Sequence, residues 1–144
     1  MEYKRKTYSG FVTYLHDNQI FVFGSNTQGR HGKGAALTAR VKFGAIYGNP
    51  EGIQGKSFAI ITKDLTKKTH PSRTPAQVVS QIEKLYKYAT LHPDKEFIIA
   101  YKCGNCNLNA YSSHDMAKMF ASRDIPANIV FDRQFYELVK LYIR

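Results

Sequence analysis

The 144-residue chain is 43% hydrophobic and 22% charged, enough for one domain with a real core and too ordinary a composition for wholesale disorder. Its 21 Lys and Arg against 11 Asp and Glu give a formal net charge of +10, which attracts polyanions without separating nucleic acid from a small phosphorylated ligand. No apolar stretch approaches bilayer length and the basic start, Met1 to Lys6, has no apolar run behind it, so a soluble, cytoplasmic protein with no membrane partner is expected.

In chain order, residues 3–14 lean towards β structure through Tyr8, Phe11, Val12 and Tyr14, as an edge strand or hairpin. Ile20-Phe21-Val22-Phe23 is a continuous apolar run, the pattern of a strand buried on both faces. A polar turn with glycines follows, Gly24-Ser25-Asn26 and then Gly29, Gly32 and Gly34. Ala35, Ala36, Leu37, Ala39, Val41 and Phe43 then offer a helix with one apolar face. Strand, glycine turn and helix is a recipe for holding phosphate on backbone N–H groups. The spacing is neither that of a P-loop nor that of the dinucleotide glycine motif.

Residues 44–55 read as a loop, because Gly48-Asn49-Pro50-Glu51-Gly52 concentrates turn chemistry. Phe58 to Thr62 forms a second buried strand, followed by a basic loop to Pro75. Thr74 and Pro75 open a helix with Val78, Val79, Ile82, Leu85, Tyr86 and Ala89 inward. Residues 97–101 are a third strand, and an asparagine-rich loop runs from 102 to 110. Ser112 or Ser113 caps a helix, residues 128–131 form the last strand, and residues 135–143 the closing helix.

Cys103 and Cys106 form a Cys-x-x-Cys pair. Only His114 lies near enough in sequence to join a zinc set, and the pair comes too late for a thioredoxin-type site, so two reduced thiols and no metal are expected. Buried strands alternating with amphipathic helices predict an α/β sandwich around a largely parallel sheet. Ligands in such sheets sit beyond the carboxyl ends of the strands, which here gathers the loops 24–34, 63–73 and 102–111 into one pocket.

Phe23-Gly24-Ser25-Asn26, then Gly32-x-Gly34-Ala35-Ala36 and Lys42-Phe43-Gly44-Ala45, resembles the first ligand loop and following helix of macrodomains. The likeness is nearest to small macrodomain-like proteins of bacteria and tailed phages, and more distant to the deglutamylating branch that frees proteins of ADP-ribose. It continues through Gly55 to Asp64 and, more weakly, through Cys103-Gly104 and Leu108 to Tyr111, covering roughly residues 19–131. The resemblance implies a three-layer α/β/α sandwich with a mixed, largely parallel sheet. It also implies a pocket for ADP-ribose or a close relative, with no cofactor. Gly24, Ser25, Asn26, Gly32, Lys33, Gly34 and Ala35 fall in its first ligand loop, Asn26 at the position that contacts the distal ribose. Lys63 matches the lysine that engages the anomeric carbon, and Cys103, Gly104, Asn105, Asn107, Asn109 and Tyr111 fall in the loop that wraps the diphosphate.

The chain departs from that branch where an aspartate partners the lysine. The loop here offers asparagines, which orient groups but do not titrate. Asp64 is the neighbouring carboxylate, and His31 is the candidate acid or base by analogy with macrodomain-like phosphatases. The catalytic candidates are therefore His31, Lys63 and Asp64, with Tyr111 and Tyr47 as stacking candidates. The expected function is binding of ADP-ribose or a related nucleotide, with hydrolysis as an ADP-ribose 1″-phosphate phosphatase or ADP-ribosyl hydrolase. The alternatives are a non-catalytic reader of ADP-ribose or of ADP-ribosylated protein or nucleic acid, and a basic nucleic-acid-binding protein without a small ligand.

Overall fold

The computed structural model describes residues 5–102 and 109–143. In chain order the elements are β1 (Thr7–Tyr8), β2 (Gln19–Asn26), α1 (Gly34–Lys42), β3 (Gly52–Gln54), β4 (Ser57–Lys63), α2 (Pro75–Leu91), β5 (Glu96–Ile99), α3 (Ser113–Ala121), β6 (Ile129–Asp132) and α4 (Arg133–Tyr142). One six-stranded sheet runs β1-β6-β5-β2-β4-β3. Every pairing is parallel except that of β3 with β4. The expected α/β fold with a mixed, largely parallel sheet is what forms.

The central strands are apolar throughout because both of their faces are covered. Ile20, Val22, Phe58, Ile60, Phe97, Ile99, Ile129 and Phe131 pack into one core with α2, α3 and α4. The residues between them, Phe21, Phe23, Ala59, Ile98 and Val130, pack into a second core with Ala36, Ala39 and Phe43 around α1. Handedness explains the uneven division. The chain steps from β2 to β4 in one direction, then from β4 to β5 and β5 to β6 in the other. Right-handed crossovers place α1 on one face and α2 and α3 on the opposite one. The α1 face is completed by an irregular N-terminal strap, whose Leu15 is 7% exposed and whose Val12 packs against the same cluster.

Cap chemistry sets the helix starts. Thr74 accepts from the Gln77 N–H while the Gln77 side chain accepts from the Thr74 N–H, a full capping box with Pro75 in the first turn. Ser112 caps α3 and Asp132 caps α4 through the Phe135 N–H. The last helix therefore starts at Arg133, two residues before the expected start.

Four other boundaries differ from expectation. Gly24, Ser25 and Asn26 continue β2 instead of turning, since Gly24 pairs with Ile60 and Ser25 with Ile61 before a register shift at Asn26. Residues 52–54 are a strand inside the expected 44–55 loop, paired antiparallel to β4. Of residues 5–14 only Thr7 and Tyr8 form a strand, an edge strand parallel to β6. β5 ends at Ile99 rather than at Tyr101.

Candidate functional site

β2 and β5 are neighbours whose onward connections leave in opposite directions, so a crevice opens beyond their carboxyl ends. It lies on the face that carries only α1 and the strap, and it encloses about 890 Å³. That volume suits a nucleotide-sized ligand. Gly24, Ser25 and Asn26 at the end of β2 line it, with Thr62 and Lys63 from β4, Ala100 to Lys102 after β5, Lys33 to Ala36 at the start of α1, and Tyr8 and Phe11 to Thr13 from the strap. Thus the ends of β2 and β4 and the residues just after β5 converge, as expected from strand topology.

The start of α1 differs chemically from the other helix starts. Its N-cap is Lys33, which makes no side-chain hydrogen bond to the first turn, while α2, α3 and α4 are capped by side chains. Gly34 holds a φ of 58°, a left-handed conformation that glycine adopts without strain. The first-turn amides lack a side-chain acceptor at the positive end of the helix dipole. Arg30, Lys33, Lys42, Lys63 and Lys102 line the same cleft, and no carboxylate does among the described residues. Of these cations only Lys102 forms an ion pair among the described residues, with Asp132 at 3.1 Å.

The remaining expected site residues take varied positions. Gly32 lines the cleft, and a Cβ there would meet nothing within 4 Å. Asn26 lines the wall, but its amide already closes the loop, accepting from the Arg30 N–H at 2.9 Å and donating to the Arg30 carbonyl at 2.8 Å. Lys63 lines the cleft beside it, its backbone paired with Asn26. Asp64 does not line it. Its Oδ1 accepts from the Thr66 hydroxyl at 2.6 Å, the Thr66 N–H at 2.9 Å and the Thr27 hydroxyl at 3.1 Å. Those bonds, from Thr66 first, hold the carboxyl below its usual range and make it a loop anchor.

His31 is fully buried and stands behind the wall, edge-on to Phe23 with ring centroids 5.1 Å apart. Its Nε2 lies 3.4 Å from the hydroxyl of Ser25, which does line the cleft. Its Nδ1 has no hydrogen-bond partner of ordinary geometry among the described residues. Burial pushes the imidazole below its ordinary value, against a weaker opposing contact with the Asn49 backbone. Asn109 lines the cleft and accepts from Tyr101 at 3.2 Å and from the Tyr111 N–H at 3.0 Å. Tyr111 is buried outside the lining, its hydroxyl donating to the Arg73 carbonyl. Tyr47 is exposed, with Arg40 5.5 Å above its ring, away from the cleft. Cys103, Gly104, Asn105 and Asn107 lie outside the described residues. Among the described residues no group of three or more His, Cys, Asp or Glu is placed to hold a metal ion.

Several lining residues had no motif to announce them. Phe11 sits in a stretch legible only as β-leaning, and Tyr8 and Tyr101 look like core aromatics. Burial raises the pKa of both phenols, Tyr8 donating to the Ile99 carbonyl at 2.7 Å. They are neutral donors at any physiological pH. Lys102, directly after the third apolar strand run, was the one legible signal, since strand-end loops carry ligand contacts in such sheets.

Against known proteins, no family model matches the chain, no curated protein matches it, and no solved structure matches it. The site's own chemistry carries the functional argument.

Proposed function

We propose that the protein is a macrodomain-like binder of ADP-ribose or a closely related nucleotide diphosphate sugar, held in the cleft between α1 and the strap. The supporting observation is the lining: five cations and no carboxylate among the described residues, at a helix start without a side-chain cap. A diphosphate fits the start of α1 with Lys33 and Lys63 beside it, since charge and unsatisfied amides favour an anion there. The aromatic strap side takes the less polar part of the ligand. The sequence resemblance in residues 19–64 supports the same ligand class.

The geometry favours a reader over a hydrolase. The described lining offers neither a carboxylate nor an imidazole, the groups that most often exchange the proton during hydrolysis. A hydrolase reading rests on Lys63, in the lining, and on His31 acting through the Ser25 hydroxyl. Calorimetry with ADP-ribose, ADP, AMP and NAD, with release of phosphate and of free ADP-ribose assayed on matching substrates, separates the two. Micromolar ADP-ribose binding without turnover supports the reader. Turnover that falls about tenfold in Lys63→Ala and in His31→Ala establishes the hydrolase. Absence of ADP-ribose binding removes both.

A further inference from the structure

We propose that the cleft mouth is a binding track for single-stranded nucleic acid, its backbone held by the unpaired cations and a base stacked on Phe11. Phe11 lines the cleft yet is 88% exposed, and Tyr14, three residues on, is 65% exposed. A ring left as open as that of Phe11 adds little to the core, so folding does not account for its placement, while the Tyr14 hydroxyl meets His16 Nδ1 at 2.8 Å.

The strap that carries them is held where it is. It has no regular secondary structure between β1 and β2. Lys102 donates to the Gly10 carbonyl at 2.7 Å, and its ammonium lies 4.8 Å from the Tyr8 ring centroid and 5.7 Å from that of Phe11. At the other end Lys56 donates to the carbonyls of Leu15 at 3.2 Å and His16 at 2.9 Å. Two lysines thus pin the strap on either side of Phe11 and Tyr14, with the Phe11 ring open to solvent at the cleft as a shelf.

Arg30, Lys33, Lys42 and Lys63 line the same cleft, form no ion pair among the described residues and meet no lining carboxylate. Arg30, Lys33 and Lys42 are exposed. A diphosphate neutralises about two charges, which leaves cations over for further phosphates of a longer chain. Exposed aromatic rings beside a basic groove are the physical requirement for single-strand binding, because every base offers a face to stack. A duplex keeps its bases stacked on one another and presents none to the shelf. This goes beyond the small-ligand reading and stands or falls separately.

The test is fluorescence anisotropy with end-labelled RNA and DNA single strands of roughly 12 nucleotides and mixed sequence, and with the matching duplex. Parent, Phe11→Ala, Phe11→Tyr, Tyr14→Ala and Lys33→Ala are compared at about 50 and about 200 mM salt, with thermal melts to confirm folding. The single strand should bind at least about fivefold more tightly than the duplex, and Phe11→Ala should weaken it about tenfold, with Phe11→Tyr restoring it. Lys33→Ala should flatten the salt dependence by about 0.7 in log–log slope. The RNA and DNA arms show which strand is preferred. Equal binding of strand and duplex, or unchanged binding in a folded Phe11→Ala, overturns the proposal. Strand binding with these properties in a protein that ignores ADP-ribose supports it and removes only the small-ligand reading.

Discussion

The Asn26 side chain and the Arg30 backbone form a closed pair of hydrogen bonds, N–H to Oδ1 at 2.9 Å and Nδ2–H to carbonyl at 2.8 Å. With the Gly29 N–H donating to the Asn26 carbonyl at 2.9 Å, they fold the chain leaving β2 towards α1. Asn26 thus shapes the cleft wall, whatever it also touches in a ligand. Asn26→Ala should lower unfolding free energy by about 1–2 kcal/mol, read from denaturant midpoints, and weaken ADP-ribose at least tenfold. Unchanged stability would show that this ring does not hold the loop.

Two glycines of that loop separate folding from binding. A Cβ on Gly29, at φ 67°, would come within 2.6 Å of the Gly48 backbone, whereas a Cβ on Gly32 meets nothing. Gly29→Ala should therefore cost more than about 2 kcal/mol of stability. Gly32→Asp should leave stability within about 0.5 kcal/mol yet weaken ADP-ribose at least tenfold, by setting a carboxylate in a cleft lined by cations. Thermal melts and calorimetry on the two variants check both halves.

The four central strands were legible because each is a run of apolar residues buried on both faces, and α2 because Thr74 and Pro75 announce its start. β3 was hidden. Its three residues carry Gly52 and follow Gly48-Asn49-Pro50-Glu51, and pairing with β4 outweighs that local turn chemistry. Gly24 to Asn26 read as a turn for the same reason, though pairing with β4 fixes it as sheet. The pocket's position followed from topology. The burial of His31 did not, because no local pattern marks a histidine that packs against Phe23 across a loop.

The buried His31 gives the protein a signature in mild acid. Its folded pKa lies below the ordinary 6.5, so below that pH the unfolded chain takes up a proton that the native ring refuses. Stability is unaffected by this group above pH 7, falls as pH drops through 6.5, and levels off below the folded value. Glu51, Asp64 and Glu96 are held below their usual values of 4.5, 3.8 and 4.5, so their contributions are lost only at more acid pH. Urea unfolding from pH 7 to pH 5 should show the parent losing up to about 1.4 kcal/mol per pH unit relative to His31→Gln. Parallel curves would contradict a neutral buried ring.

Lys102 and Asp132 tie the strap to the C-terminal half of the sheet. The Asp132 carboxylate, 7% exposed, also caps α4, while the Lys102 side chain is 32% exposed. Lys102→Met leaves that carboxylate without its cation and should cost about 1–3 kcal/mol. Amide hydrogen exchange should quicken around β1 more than around α2, and uniform quickening would mean that the pair is not local to the strap.

Amide NMR during an ADP-ribose titration tests the central claim most directly, since it reports binding and place together. Shifts should saturate in the micromolar range and concentrate at residues 24–36, 62–65 and 100–102, with the α2 and α4 amides nearly still. No shifts at millimolar ligand, or saturable shifts centred on the opposite face of the sheet, would contradict an ADP-ribose site in this cleft.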